Sequence, residues 1–278
     1  MAIKIGDTVI IKSYRSNELW EVINIFNSYP RFIRLKGVTN RCILHVPENK
    51  LEKIDSKTIR EILNSHKVSI QTFFSNTVQE KIFNDYFRET ENNFLFKIHG
   101  SILHLDSDKS FMEDSLQLYN QFNIPSNGYF MNSEEIPNKV LELLKKHNPD
   151  ILVITGHDGY EENMNLNSLA SYINSKYYMK AVQEARKFDK NKDSLVIYAG
   201  ACKSYFEALM SAGANFASSP KRVDIEKFDP AIIATAAALT PFLSKIDLIE
   251  TISTTKVGVN GIGGIETRGC LRNAIPIP

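Results

Sequence analysis

The sequence predicts an α/β protein: a mainly parallel, three-layer sandwich preceded by a small all-β module. Three observations carry this. The runs ILVIT (151–155) and LVIYA (195–199) are continuously apolar and bounded by polar residues, as strands buried on both faces of a parallel sheet are. From Asn93 onward, strand-like and helix-like segments alternate, which implies right-handed βαβ units. Before that, residues 3–54 hold short β-rich runs at regular spacing.

In chain order, the first 55 residues read as strands Thr8–Lys12, Leu19–Phe26, Arg31–Lys36 and Cys42–Val46. Gly6-Asp7, Ser13–Asn17, Asn27–Pro30 and Gly37–Asn40 supply the turns. Strands this short, so evenly spaced, suggest a small SH3-like barrel of the kind that binds or braces a partner. Residues 56–92 form a helical connector, with Ile59, Ile62, Leu63 and then Val78, Ile82, Phe83 at helical spacing. Residues 93–278 form the α/β part. Its expected strands are Phe94–Leu105, Gly128–Met131, Ile151–Thr155, Leu195–Ala199 and Asn215–Ala217. Its expected helices are Lys109–Phe122, Ile136–Lys146, Ser175–Phe188, Ser204–Ala212 and Ala231–Leu239.

The chain carries 33 basic and 32 acidic side chains in 278 residues, a net charge of +1. That removes a global drive towards nucleic acid or an acidic membrane surface. No apolar run is long enough to span a membrane, and the N-terminus does not read as a signal peptide. Three cysteines make no disulfide framework and fit reduced thiols in the cytoplasm.

Reactive groups of parallel sheets gather beyond the carboxyl ends of the strands. Three such ends stand out: His104-Leu105-Asp106-Ser107-Asp108, Gly156-His157-Asp158-Gly159 and Gly200-Ala201-Cys202-Lys203. In the last two, a glycine permits a tight turn that brings the next side chains to the crevice mouth. On neighbouring strands, His157 and Cys202 would emerge side by side, as a thiolate nucleophile and its imidazole partner must. Backbone amides near Cys202, Ala201 and Gly159, next to Asp158, are candidate oxyanion donors. A helix starting after Cys202 would lower its thiol pKa. Taken singly, a cysteine after a buried strand is more often a core residue, and a loop histidine more often structural. Two Gly-flanked strand ends together favour chemistry. Cys42 and Cys270 lack that setting and read as non-catalytic.

No CxxC, HExxH or paired Cys/His spacing points to zinc, and no cofactor motif is present. Asp106, Asp108 and Asp158 either hold Mg²⁺, or Asp106 and Asp108 form a turn and helix cap. The glycine-rich stretch 257–269 lacks the GxGxxG order. The loop Ser218-Ser219-Pro220-Lys221-Arg222 is either a groove lining or a solvated turn.

The segments GDTVIIKSY, HLDSD, PDILVITGHDG, YAGACKSYFEAL, AGANFASSPKRV and GIGGIETRG together resemble the YabG family of sporulation-specific cysteine proteases, nearly end to end. The resemblance implies a cysteine endopeptidase of the mother cell of a sporulating bacterium, acting on spore coat and related proteins and cutting after arginine. It puts the catalytic pair on His157 and Cys202. At a greater distance the chain is similar to caspase-like peptidases, which place a His-Gly turn after one strand and Ala-Cys after the next, about 50 residues apart. Here Asp158 intervenes between His157 and Gly159. Arginine preference would need a carboxylate to receive a buried guanidinium. Asp106 and Asp108 are the candidates, Asp158 the alternative, and Ser218 and Ser219 would line the groove. The rival expectations are a non-catalytic scaffold binding coat proteins and a Mg²⁺-dependent receiver-like module using Asp106 and Asp108.

Overall fold

The computed structural model describes residues 2–12, 18–73, 96–161 and 164–275. At the N-terminus, β1 (Thr8–Ile11), β2 (Trp20–Ile25), β3 (Phe32–Gly37), β4 (Ile43–Pro47) and β5 (Leu51–Lys53) form one antiparallel sheet in the order β4-β3-β2-β1-β5. Alternation along the strands sends Val9, Ile11, Val22, Ile33 and Leu35 to the covered face, where Trp20 is fully buried.

The expected closed barrel does not form. β4 and β5 stay at opposite edges, because the chain entering β4 makes its hydrogen bond elsewhere: Ile43 N–H donates to the Asp158 carbonyl at 2.7 Å. Helix α1 (Ser56–Phe73) follows, its first turn capped by Asp55. The rest of the anticipated connector, with Val78, Ile82 and Phe83, lies outside the described residues.

The second sheet has six strands in the order β12-β11-β10-β9-β7-β8. These are β7 (Ile102–Asp106), β8 (Ser126–Phe130), β9 (Ile151–Thr155), β10 (Val196–Ala199), β11 (Phe216–Ser218) and β12 (Ile262–Gly264). All pair in parallel except β12, which runs antiparallel along β11. The single long strand expected from Phe94 is broken into β6 (Phe96–Ile98) and β7. At the break, Gly100 packs so closely on Cys270 that a Cβ there would lie 2.4 Å from the Cys270 Cβ. β6 pairs instead with the C-terminal β13 (Arg272–Ala274).

Successive residues of the central strands face opposite layers. Leu152, Ile154, Ile197 and Ala199 pack under α3 (Ile136–His147), α4 (Ser175–Phe188) and α5 (Phe206–Ala212). Ile151, Val153, Val196 and Tyr198 pack under α2 (Lys109–Gln121) and α6 (Asp229–Leu239). That second layer also takes in the inner face of the N-terminal sheet, so one apolar core joins the two sheets. A short helix, α7 (Leu248–Ser253), precedes the glycine-rich β12. Among the described residues no helix is long and apolar enough to cross a membrane.

The strand order reverses between β7 and β9: sequence neighbours β7 and β8 lie to one side, β9, β10 and β11 to the other. A crevice outside the carboxyl ends at such a reversal is where open α/β sheets bind ligands. Asp106, His157 and Cys202 stand around it.

Candidate active site

The crevice is filled by the chain itself. The turn between β3 and β4, residues 38–42, reaches from the N-terminal sheet into the gap between the ends of β9 and β10. Arg41 there is fully buried. Its carbonyl oxygen accepts two backbone hydrogen bonds, from Asp158 N–H at 3.0 Å and Cys202 N–H at 3.3 Å. Two amides converging on one carbonyl oxygen are the arrangement that stabilises a tetrahedral oxyanion.

The Arg41 side chain runs into a closed pocket. Its guanidinium donates to Asp106 Oδ2 at 2.9 Å, to the Lys227 carbonyl at 2.9 and 3.1 Å, and to the Gly156 carbonyl at 3.3 Å. Its flat face lies 4.9 Å from the centre of the Phe111 ring, a stabilising stack for a desolvated cation. Burial works against a charge on Asp106, but Arg41 and then His104 overcome it and hold that carboxyl down to about 2. The flanking backbone is extended: Asn40 bridges antiparallel to Glu226, and Cys42 bridges parallel to Asp158.

His157 is buried against the Phe111 ring, with centroids 5.2 Å apart. Its Nε2 lies 3.1 Å from the Gly37 carbonyl, which can only accept, so Nε2 carries the proton. Nδ1 faces Asp108 Oδ2 at 3.8 Å. Burial pushes the imidazole down to about 4, against the pull of Asp108. The ring is neutral at physiological pH.

Cys202 is fully buried. Its Sγ accepts from Ile225 N–H at 3.1 Å and lies 3.4 Å from the Ile225 carbonyl. Burial first, and the neighbouring Cys42 thiol second, push its pKa well above the ordinary value. The lowered thiol pKa expected from a helix N-terminus is not found. α5 starts only at Phe206, and the inserted turn excludes the water that would solvate a thiolate. No hydrogen bond joins Cys202 to His157; the Arg41–Cys42 peptide occupies the space between their strand ends.

Asp158 knits the two loops together. Its carboxylate accepts from Gly159 N–H and Asn174 N–H at 2.8 Å, Ser175 Oγ at 2.5 Å and Ser204 Oγ at 2.8 Å. Burial raises it to about 6, against the hydrogen bonds from Ser175, Asn174, Gly159 and Ser204 that favour the carboxylate. The Ser204 hydroxyl in turn accepts the Ala201 amide at 2.9 Å. The amides of Gly159 and Ala201 are therefore spent on the scaffold, and the donors facing the Arg41 carbonyl are those of Asp158 and Cys202.

The remaining anticipated residues brace these loops. Ser218 Oγ meets the Tyr198 hydroxyl at 2.6 Å, and Ser219 Oγ accepts Lys203 N–H at 2.9 Å; both serines are buried rather than lining an open groove. Asp108 caps α2 by accepting Phe111 N–H and pairs with Lys36 of β3 at 3.3 Å. With Asp106 on Arg41 and Asp108 on Lys36, the two carboxylates are held by cations rather than paired for a divalent ion. One other donor set exists among the described residues: Cys42 Sγ, Cys202 Sγ and an Asp224 oxygen lie within 4.8 Å of one another, a combination with the softness zinc prefers.

Sequence reasoning missed Arg41 and Phe111, and with them the contribution of the N-terminal sheet to the crevice. Both lie outside the strand-end pattern. The one signal available was an arginine in a turn of a chain whose crevice was expected to receive arginine.

A switch-point crevice with a thiol and an imidazole on its flanking strand ends, and two amides aimed at one carbonyl, has the parts that acyl transfer uses. The chain belongs to the YabG peptidase U57 family, whose model matches residues 4–276. It is 35% identical over 293 residues to the Sporulation-specific protease YabG of Bacillus subtilis (strain 168), with 99% of each chain covered. The protein is a sporulation-family peptidase.

Proposed function

We propose that the chain is a cysteine endopeptidase that cuts after arginine, with Cys202 as nucleophile and His157 as its acid–base partner. The observation that carries this reading is Arg41. Its side chain lies against a buried carboxylate, its carbonyl accepts from the Cys202 and Asp158 amides, and its backbone is extended, as a substrate's residue before the scissile bond would be.

In this reading Asp106 receives the substrate guanidinium, Phe111 stacks on it, and the carbonyls of Gly156 and Lys227 accept its remaining protons. Cys202 Sγ attacks the carbonyl carbon. The oxygen takes up negative charge between the two amides, and the thiol proton passes through His157 to the departing amine. Water then attacks the thioester with His157 as base, releasing the acid and regenerating the thiol. The leaving chain has an exit, since Lys36, Ile43, Asn132, His157, Asn174 and Tyr177 line a surface pocket beside the imidazole. The substrates on this reading are spore coat and related sporulation proteins, met in the mother cell. The name of the Bacillus relative supports the sporulation setting.

The test is incubation of the chain and its Cys202→Ala variant with arginine-containing peptides, read by mass spectrometry. Scission after arginine by the wild type alone is expected. Equal scission by the variant would remove Cys202 from the mechanism, and cuts without regard to arginine would remove Asp106.

A further inference from the structure

We infer that the β3–β4 turn is an internal inhibitor: it lies in the crevice in the register of a substrate and keeps the peptidase closed. The inference rests on the reading of the crevice given above and adds what that reading leaves out, the state of the site in the intact chain.

The occupancy is specific at every point where a substrate would be held. The Arg41 guanidinium takes the buried carboxylate and both pocket carbonyls. Its carbonyl takes both amide donors. On one side Asn40 pairs with Glu226; on the other Ile43 N–H donates to the Asp158 carbonyl. The reactive groups are diverted as well. The proton on His157 Nε2 is committed to the Gly37 carbonyl, and Cys202 Sγ is turned to the Ile225 backbone. An arginyl substrate can enter only when this turn has left.

The turn also has the rigidity of an inhibitor. Gly37 N–H donates to the Cys42 carbonyl at 2.9 Å, closing the hairpin around the inserted residues. Gly37 itself admits no side chain, since a Cβ would lie 2.0 Å from Asn40 Oδ1. Lys36, one residue earlier, is tied to Asp108 beside His157. A loop held in its bound conformation by its own scaffold binds with little ordering cost. The competition is intramolecular, so external substrate sees only the fraction of molecules with the turn withdrawn, and apparent affinity falls by that fraction.

The experiment compares the full-length wild type, Arg41→Ala and Arg41→Lys, each checked by circular dichroism and thermal melting. Two initial rates are read: alkylation of Cys202 by iodoacetamide, located by mass spectrometry, and hydrolysis of a small blocked arginyl amide. Arg41→Ala should raise both by about tenfold or more. Arg41→Lys keeps a cation opposite Asp106 but loses the planar fork, and should fall between. A synthetic peptide of residues 38–44 added to Arg41→Ala should slow both rates again, and its arginine-to-alanine version should not. Should Arg41→Ala fail to fold, Arg41→Lys and the same peptide competition run on Arg41→Lys decide alone. A folded Arg41→Ala or Arg41→Lys chain with both rates at the wild-type level would overturn the inference. So would rapid scission of the wild type between Arg41 and Cys42, which would make the turn a substrate. Faster alkylation without arginyl hydrolysis would keep the inhibitor and sink the peptidase mechanism, so the two failures are told apart.

Discussion

Arg41 and Asp106 lie 65 positions apart and meet at 2.9 Å with both side chains withdrawn from solvent. Removing one partner of such a pair strands the other charge in a low-dielectric site, at a cost of about 3–5 kcal/mol. The two halves should not cost the same. Asp106→Ala leaves the guanidinium locked among carbonyls, whereas Arg41→Ala vacates the crevice and lets water reach Asp106. Denaturant titrations should therefore rank Asp106→Ala as the more damaging change. The double variant should cost less than the sum of the singles by at least ~1 kcal/mol. Additive losses would mean that the pair contributes nothing as a pair.

The burial of His157 sets a pH signature. Its folded pKa of about 4 lies below the ordinary value for histidine, so the unfolded chain binds the proton more readily. Stability is undiminished above the unfolded pKa, near 6.5, and is lost as pH falls towards 4. His157→Gln removes that titration and nothing else of the same sign at this position. The melting temperature of the variant should gain on the wild type as pH is lowered from 7 to 4. A difference that stays constant across this range would show that the imidazole is not buried neutral.

Gly200 turns the chain from β10 towards Cys202 with φ +109°, and a Cβ there would come within 2.9 Å of Leu209 Cδ1 and 3.1 Å of Ser218 Cβ. Gly200→Ala should cost about 1–3 kcal/mol from backbone strain, with a matching drop in melting temperature and a several-fold loss of arginyl-peptide hydrolysis as the Cys202 amide shifts. Gly258→Ala is the control: φ there is +62°, but nothing lies within 4 Å of the added Cβ. Its loss of stability should be smaller, with activity unchanged. Similar losses of activity in both variants would detach the Gly200 turn from the site.

Much of the α/β part was legible because burial on both faces leaves a local mark. ILVIT and LVIYA became β9 and β10, and the glycines behind them turn the chain where His157 and Cys202 emerge. Where the chain misled, the cause was non-local. The run from Phe94 reads as one strand, but Gly100 must pass against Cys270, 170 residues on, and the strand breaks there. Ser204 looks like the start of a helix, yet its hydroxyl is drawn to Asp158 and α5 waits until Phe206. Even spacing of short strands implied a barrel; whether β4 meets β5 depends on what else competes for its backbone, and Asp158 wins. For Arg41 the expected arginine preference was the one signal, since no periodicity or motif says that a turn of one sheet will enter the crevice of another.

The antiparallel β12 along the outer flank of β11 has its own consequence. A parallel sheet ending at β11 would offer a ready template on which a second molecule could add a strand, a hazard for any protein made in quantity. β12 is only three residues long and two of them are glycines, Gly263 lying against Phe206 and Gly264 against Phe216 with no room for a side chain. So brief and featureless a border gives an incoming strand little to grip. The glycines of this stretch, which match no GxGxxG order, serve as a hem that stops the fabric from growing.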